Sequence, residues 1–209
     1  MTCVAPSCGC GRRRFCVQEP AVSNQSTDRD CLALMSGGAD SAACAHLMQS
    51  RGWRVKGLFI DYGQPCANSE RLAAERVATH LDIELAKHVL PGRAEPRPGE
   101  IFARNAFLIV ASVFLEEHRR GVVAIGVHAG TSYYDASPVF IERMDTMFAE
   151  ATDGALAVVA PFETWVKSEI IAYARSNALP LELTYCCEAS DGDPCGECPS
   201  CRDRAELGY

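Results

Sequence analysis

The chain has 209 residues, 48% of them hydrophobic, with a mean hydropathy of −0.03. That is enough for one α/β domain with a sizeable core and a small appendage, and too apolar for a disordered chain. A net charge of −7, with Lys and Arg scattered, argues against a nucleic-acid surface, and no apolar run approaches the ~18 residues of a membrane span.

Residues 1–30 form a leader holding Cys3, Cys8, Cys10 and Cys16, followed by a polar stretch from Glu19 to Asp30 that reads as a linker. The leader is either an untied terminus or a second metal site. It carries Arg12, Arg13 and Arg14 but no apolar signal core, so the expectation is a cytoplasmic protein. The twelve cysteines gather toward the two ends of the chain, which in a reducing cytosol points to metal ligation rather than disulfides.

The core begins at Cys31. Leu32 to Met35 is a short buried strand that turns at Ser36-Gly37-Gly38 and feeds a helix from about Asp40. Glycines there let the backbone turn tightly and approach something closely. The open N–H groups of the helix start favour an anion, and Ser36 and Ser41 add hydroxyls. Asp40 repels a phosphate on its own, so it calls for a bound Mg²⁺ or an orienting role. No Walker A loop is present. The run Ser36 to Ser41 after an apolar strand resembles the pyrophosphate loop of the N-type ATP pyrophosphatases.

Helix Ala42 to Gln49 is followed by strand Val55 to Ile60, which runs into Asp61-Tyr62-Gly63-Gln64. A carboxylate and a ring at the C-terminal end of a strand stand where open α/β sheets bind ligands. The pattern then predicts helix Asn68 to Leu81, strand Glu84 to Leu90, a loop from Pro91 to Gly99, and helix Ile101 to Glu117 carrying Arg104-Asn105. Strand Val122 to Val127, helix Pro138 to Thr152, short strand Ala157 to Val159 and helix Val166 to Asn177 complete the alternation. Strands alternating with helices give a doubly wound parallel sheet over residues 31–183.

The tail, residues 184–209, holds Cys187, Cys195, Cys198 and Cys201 spaced C-x7-C-x2-C-x2-C. Each C-x2-C bite lets two thiolates reach one tetrahedral ion, and four protein ligands make a closed, structural zinc site. Cys186 competes with Cys187 for the first place.

The order of the Ser36 loop, Asp61-Tyr62-Gly63-Gln64, Arg104-Asn105, Ile125-Gly126-Val127, Asp135 ahead of Pro138 and Phe140, the run from Lys167 to Ile171 and the cysteine tail resembles the 7-cyano-7-deazaguanine synthase (QueC) family over residues 32–207. The resemblance implies an adenine nucleotide α-hydrolase-like, Rossmann-like fold and an ATP-dependent C–N ligase. It implies adenylation of 7-carboxy-7-deazaguanine, amidation by ammonia, and dehydration to the nitrile. It places Ser36, Gly37, Gly38, Asp40 and Ser41 on the pyrophosphate loop and Asp61 and Tyr62 beside the nucleotide. Lys167 and Arg104 neutralise phosphate charge, with Mg²⁺. Asp135 and Phe140 fall at the base pocket, though Asp135 could equally be a helix cap. It selects Cys187 as the first zinc ligand, and implies a homodimer.

No protein nucleophile is required, so neither Cys66 nor His128 is assigned one. The chain departs from the family in a short proline-rich loop before Arg104, in Ala103 where a glycine is usual, in Pro65-Cys66, and in the leader. These departures leave two alternatives: a ligase joining the activated deazaguanine to an amine of a partner protein, as in modification or antiviral defence, and a non-catalytic ATP-binding scaffold.

Overall fold

The computed structural model describes residues 29–90 and 101–209. The leader cysteines and most of the loop before Arg104 lie outside the described residues. Five parallel strands are β1 (Asp30–Leu34), β2 (Arg54–Asp61), β3 (Glu84–Val89), β4 (Gly121–Ala124) and β5 (Leu156–Val159). They lie in the order β3-β2-β1-β4-β5. The helices are α1 (Ala39–Ser50), α2 (Ala67–Leu81), α3 (Arg104–Leu115), α4 (Pro138–Ala151), α5 (Lys167–Ser176) and α6 (Pro199–Leu207). Among the described residues no helix is long and apolar enough to cross a membrane.

Alternation along β1 decides which helices cover which face. Cys31, Ala33 and Met35 join Phe59, Val122 and Ala124 under α1, α2 and α5. Leu32 and Leu34 join Leu58, Ile60, Val123 and Val158 under α3 and α4. Both faces are therefore apolar, as a covered parallel sheet requires. Helix α1 is wedged among the others, with Ala42, Ala43 and Ala45 all buried. Small side chains there let α2 and α5 close in. After β1 the chain winds outward to β2 and β3, then returns to β4 on the other side. The direction therefore switches at the C-terminal ends of β1 and β4, where ligands bind in such sheets.

Three elements differ from expectation. Strand β4 ends at Ala124 rather than Val127, and its pairing continues through the Ile125 N–H to the Val159 carbonyl at 3.0 Å and an isolated bridge between His128 and Phe162. The chain leaves the sheet to pass the start of α1: a Cβ on Gly126 would stand 2.8 Å from the Asp40 carbonyl oxygen. Helix α6 was not anticipated in the tail. Cys198 caps it and Pro199 opens it, a place that suits proline because the missing N–H has no partner there anyway. Helix α3 starts at Arg104, three residues later than expected, because Ala103 adopts left-handed φ 59° and ψ 23°.

An alanine in that conformation carries strain of roughly 1–2 kcal/mol. Glycine would relieve it but gives back about 0.4–1 kcal/mol in unfolded-state freedom. Ala103→Gly should therefore stabilise the protein by roughly 0.5–1 kcal/mol and raise the melting temperature by about 1–4 °C. A melting curve that stays put or moves down would show that Ala103 is unstrained.

Candidate active site

The phosphate-loop residues come together at the switch point. Gly37 has φ +77°, and a Cβ on it would stand 2.4 Å from the Glu70 carbonyl oxygen and 2.8 Å from Ala73 Cβ. Its glycine thus lets α2 lie directly against the loop. A Cβ on Gly38 would meet nothing nearer than Ser36 Oγ at 3.5 Å, so the fold itself does not require glycine there. Ser41 is buried and donates to the Gly38 carbonyl at 2.9 Å, while Ser36 Oγ lies 3.4 Å from both Ser41 Oγ and the Gly38 nitrogen. Ser41 therefore braces the turn and Ser36 is its exposed hydroxyl.

Asp40, on the first turn of α1, accepts two hydrogen bonds from Lys167 Nζ, at 2.8 and 2.6 Å. Lys167 opens α5, so the pair bolts two helix starts together. Burial by itself pushes the Lys167 ammonium down, but Asp40 and then Tyr209 oppose it and hold it above its ordinary value. His128 Nε2 stands 3.9 Å from the same carboxylate. Of the two roles open to Asp40, this geometry favours the orienting one.

A second group gathers at the end of β2. Asp61 accepts the Gly63 N–H at 2.9 Å and shapes the turn. Gln64, buried, accepts from the Tyr62 N–H and donates to Glu70 Oε2 at 2.9 Å. Burial pushes the Tyr62 phenol up to about 12 despite the nearby Arg104, so it stays a neutral hydroxyl. Its ring meets Phe107 edge-on, centroids 6.4 Å apart. Burial and the Glu70 carboxylate drive the Cys66 thiol well up, which leaves it unreactive at neutral pH.

Glu70 and Gln64 escaped the sequence reading as site residues. Glu70 looked like an ordinary acid in a helix's first turn. Its backbone touches Gly37, and its carboxyl is pushed up by burial, with Arg104 and Asp61 also acting on it. A carboxyl raised in the folded state costs stability above that raised value and nothing below its ordinary 4.5. Glu70→Gln keeps an acceptor for Gln64, so it should raise the melting temperature at about pH 8, and the gain should vanish by about pH 4. Equal shifts at both pH values would sink this reading.

Asp135 caps a helix, but not the one that follows it. Its Oδ2 accepts the Asn105 N–H at 2.9 Å, and Asn105 Nδ2 donates to the Asp135 carbonyl at 2.9 Å, so it caps α3 beside Arg104. Ser137 caps α4 by accepting the Phe140 N–H. Phe140 is 6% exposed and packs in the core, its ring 5.9 Å from Tyr134.

The sulfurs of Cys187, Cys195, Cys198 and Cys201 lie within 4.8 Å of one another. A tetrahedral zinc with bonds of about 2.3 Å needs sulfurs about 3.8 Å apart, so small movements suffice. The backbone is already set to receive thiolates: the Cys195 N–H points at Cys187 Sγ, and those of Glu197 and Cys198 at Cys195 Sγ, each at 3.4 Å. Burial works against charge on Cys187, but the N–H groups aimed at it bring it down to about 6. Cys186 Sγ, 3.9 Å from Cys201 Sγ, borders the four. The segment entering this cluster touches the phosphate loop, because the Tyr185 N–H donates to the Gly37 carbonyl at 2.9 Å.

The chain was compared with known proteins on this basis. The family described as "Queuosine biosynthesis protein QueC" matches residues 30–94 and 94–208. A 7-cyano-7-deazaguanine synthase of Methanoculleus marisnigri is 30% identical, covering 85% of this chain and 93% of that protein. One from Synechococcus sp. is 30% identical over 84% and 91%, and one from Campylobacter curvus 27% identical over 84% and 91%. Among solved structures, the U34-tRNA thiolase NcsA of Methanococcus maripaludis aligns with TM-score 0.52 at 14% identity, covering 91% of this chain and 66% of that one. A predicted tRNA methyltransferase subunit from Methanocaldococcus jannaschii aligns with TM-score 0.51 at 17% identity, over 70% and 74%. These two likenesses bear on the fold. The matched family covers almost all of the described chain: the chain belongs to the QueC family.

Proposed function

We propose that the protein uses ATP to adenylate the carboxylate of 7-carboxy-7-deazaguanine, joins the activated acid to ammonia, and dehydrates the amide to 7-cyano-7-deazaguanine in a second ATP-dependent step. The observation that carries this reading is the Asp40–Lys167 pair at the Ser36–Ser41 turn, at the sheet's switch point, in a chain whose relatives are named for that nitrile.

A carboxylate is a poor electrophile because it is negative and would have to expel oxide. In the first step a carboxylate oxygen attacks the α-phosphorus, the bond to the bridging oxygen breaks, and pyrophosphate leaves. Ammonia then attacks the acyl carbon, loses a proton, and AMP departs. The protein's part is to place the reactants and stabilise charge growing on pyrophosphate. The open N–H groups of α1, Lys167 and Arg104 suit that task, with Mg²⁺ entering as the ion carried by the nucleotide. Gly38, which the fold does not need as glycine, leaves room for a phosphate against the backbone. Neutral Tyr62, at the end of β2, suits a place beside the nucleotide. The four-cysteine cluster takes structural zinc in this reading, since four protein ligands leave no open position for substrate.

Incubation of the purified protein with the acid, Mg-ATP and ammonium, followed by mass spectrometry of the small molecules, tests the proposal. Nitrile, AMP and pyrophosphate are expected. AMP with no nitrile would move the acceptor to another amine, and absence of AMP would defeat the proposal altogether.

A further inference from the structure

We propose that Tyr209, just past α6, is a positioning residue that holds the Lys167 ammonium in place. Lys167 Nζ lies 5.9 Å from the Tyr209 ring centroid while it is bonded to both oxygens of Asp40. The Arg204 guanidinium stands 5.2 Å from the same ring. The ring is itself fixed. The Gly208 and Tyr209 N–H groups both return to the Arg204 carbonyl, at 2.9 and 3.2 Å, with Gly208 at φ +67°. Arg175 Nη2 then clamps the Leu207 and Gly208 carbonyls at 2.7 and 2.9 Å. Lys167 and Arg175 are eight residues apart on α5, so one helix face both anchors the end of α6 and receives its ring.

The choice of an aromatic partner has a physical consequence. A lysine on four methylenes samples many rotamers unless something limits it. A second carboxylate in this place would limit it, but would turn the local charge negative and repel a phosphate. A ring face attracts the cation with no net charge of its own. The ammonium is therefore steadied without being neutralised a second time. Lys167 is pushed down by burial and pulled back up by Asp40 and then by Tyr209, whose hydroxyl shares in the contact beside the ring. The catalytic weight of this placement rests on the ATP reading above, but the placement itself does not.

The sequence supplies an unusually clean test, because it contains only three lysines, Lys56, Lys87 and Lys167. Pulse acylation with acetic anhydride, read peptide by peptide by mass spectrometry without nucleotide, reports how firmly each amine is held. Tyr209→Ala and Tyr209→Leu, the latter keeping apolar bulk, should each speed Lys167 acylation by about three- to tenfold relative to Lys56 and Lys87. Tyr209→Phe, which keeps the ring but loses the hydroxyl that also meets Lys167, should fall between these two and the parent. Unchanged Lys167 labelling in the first two overturns the assignment. A uniform rise of all three lysines makes Tyr209 a packing residue and overturns it equally. In ATP–pyrophosphate exchange the same two variants should raise KM for ATP more than they lower kcat, with Tyr209→Phe between them and the parent. Loosened Lys167 with unchanged kinetics removes its role toward the nucleotide, whereas a parent protein without exchange defeats the ATP reading and leaves the labelling result standing.

Discussion

Asp40→Asn should lower kcat/KM for ATP–pyrophosphate exchange by about 10²- to 10³-fold, the cost of removing one preorganised electrostatic partner from a reacting centre. Asparagine preserves the shape and keeps one acceptor, but it removes the charge that two short bonds from Lys167 now meet. Both side chains are largely shielded, 24% and 17% exposed, so solvent replaces little of the loss. Burial would then act on Lys167 with less opposition, and its ammonium would lose its proton at lower pH than in the parent. The variant's residual rate should accordingly fall off earlier on the alkaline side. The same pair's contribution to folding has a defined window. It is fully present below the ordinary lysine value of 10.5 and fades as pH climbs through the raised folded value. Exchange within about threefold of the parent would show that the pair is architectural.

The Ser36–Ser41 turn was legible because a run of Ser-Gly-Gly-x-Asp-Ser after an apolar strand is a specific pattern, where two glycines alone would have read as an ordinary turn. Its internal division of labour was not. Ser41 looked like a second hydroxyl for the ligand, and only the folded turn turns it inward to the Gly38 carbonyl. Asp40 and Lys167 were each singled out, yet 127 residues separate them, and no spacing rule predicts that they meet. Asp135 shows the limit most clearly. Its place before Pro138 suggested a cap for α4, but it caps α3 through Asn105, 30 residues earlier. Glu70, Tyr185 and Tyr209 carried no local signal, since each matters through a neighbour brought from elsewhere in the chain. Helix α6 did carry one, Pro199 after a cysteine, but the cysteine spacing masked it.

Metal removal should act well beyond the tail. Each of the four sulfurs belongs to a segment with little core of its own: of these cysteines only Cys187 and Cys201 are buried. Residues 188–198 form no helix or strand. In comparable small sites the metal contributes about 10–16 kcal/mol of apparent binding energy, and that energy is the folding energy of the segment. A strong chelator, or Cys198→Ser, should therefore release the tail and lower the melting temperature by about 20 °C or more, at about 2–4 °C per kcal/mol for this chain length. Three links carry the effect to the phosphate loop. The Tyr185 N–H braces Gly37, Asp191 binds both the N–H and hydroxyl of Ser69 at the start of α2, and Tyr209 faces Lys167. The chelated protein should consequently bind ATP at least about tenfold more weakly, while zinc added back should restore both melting temperature and affinity. Hydrogen exchange should show the loss of protection spreading from residues 185–207 into the start of α1 and α2 rather than into β4 and β5. A metal-free protein with the parent's melting temperature would mean that the four cysteines hold no structural ion. Lower stability with unaltered ATP affinity would mean that the tail folds on the site without supporting it.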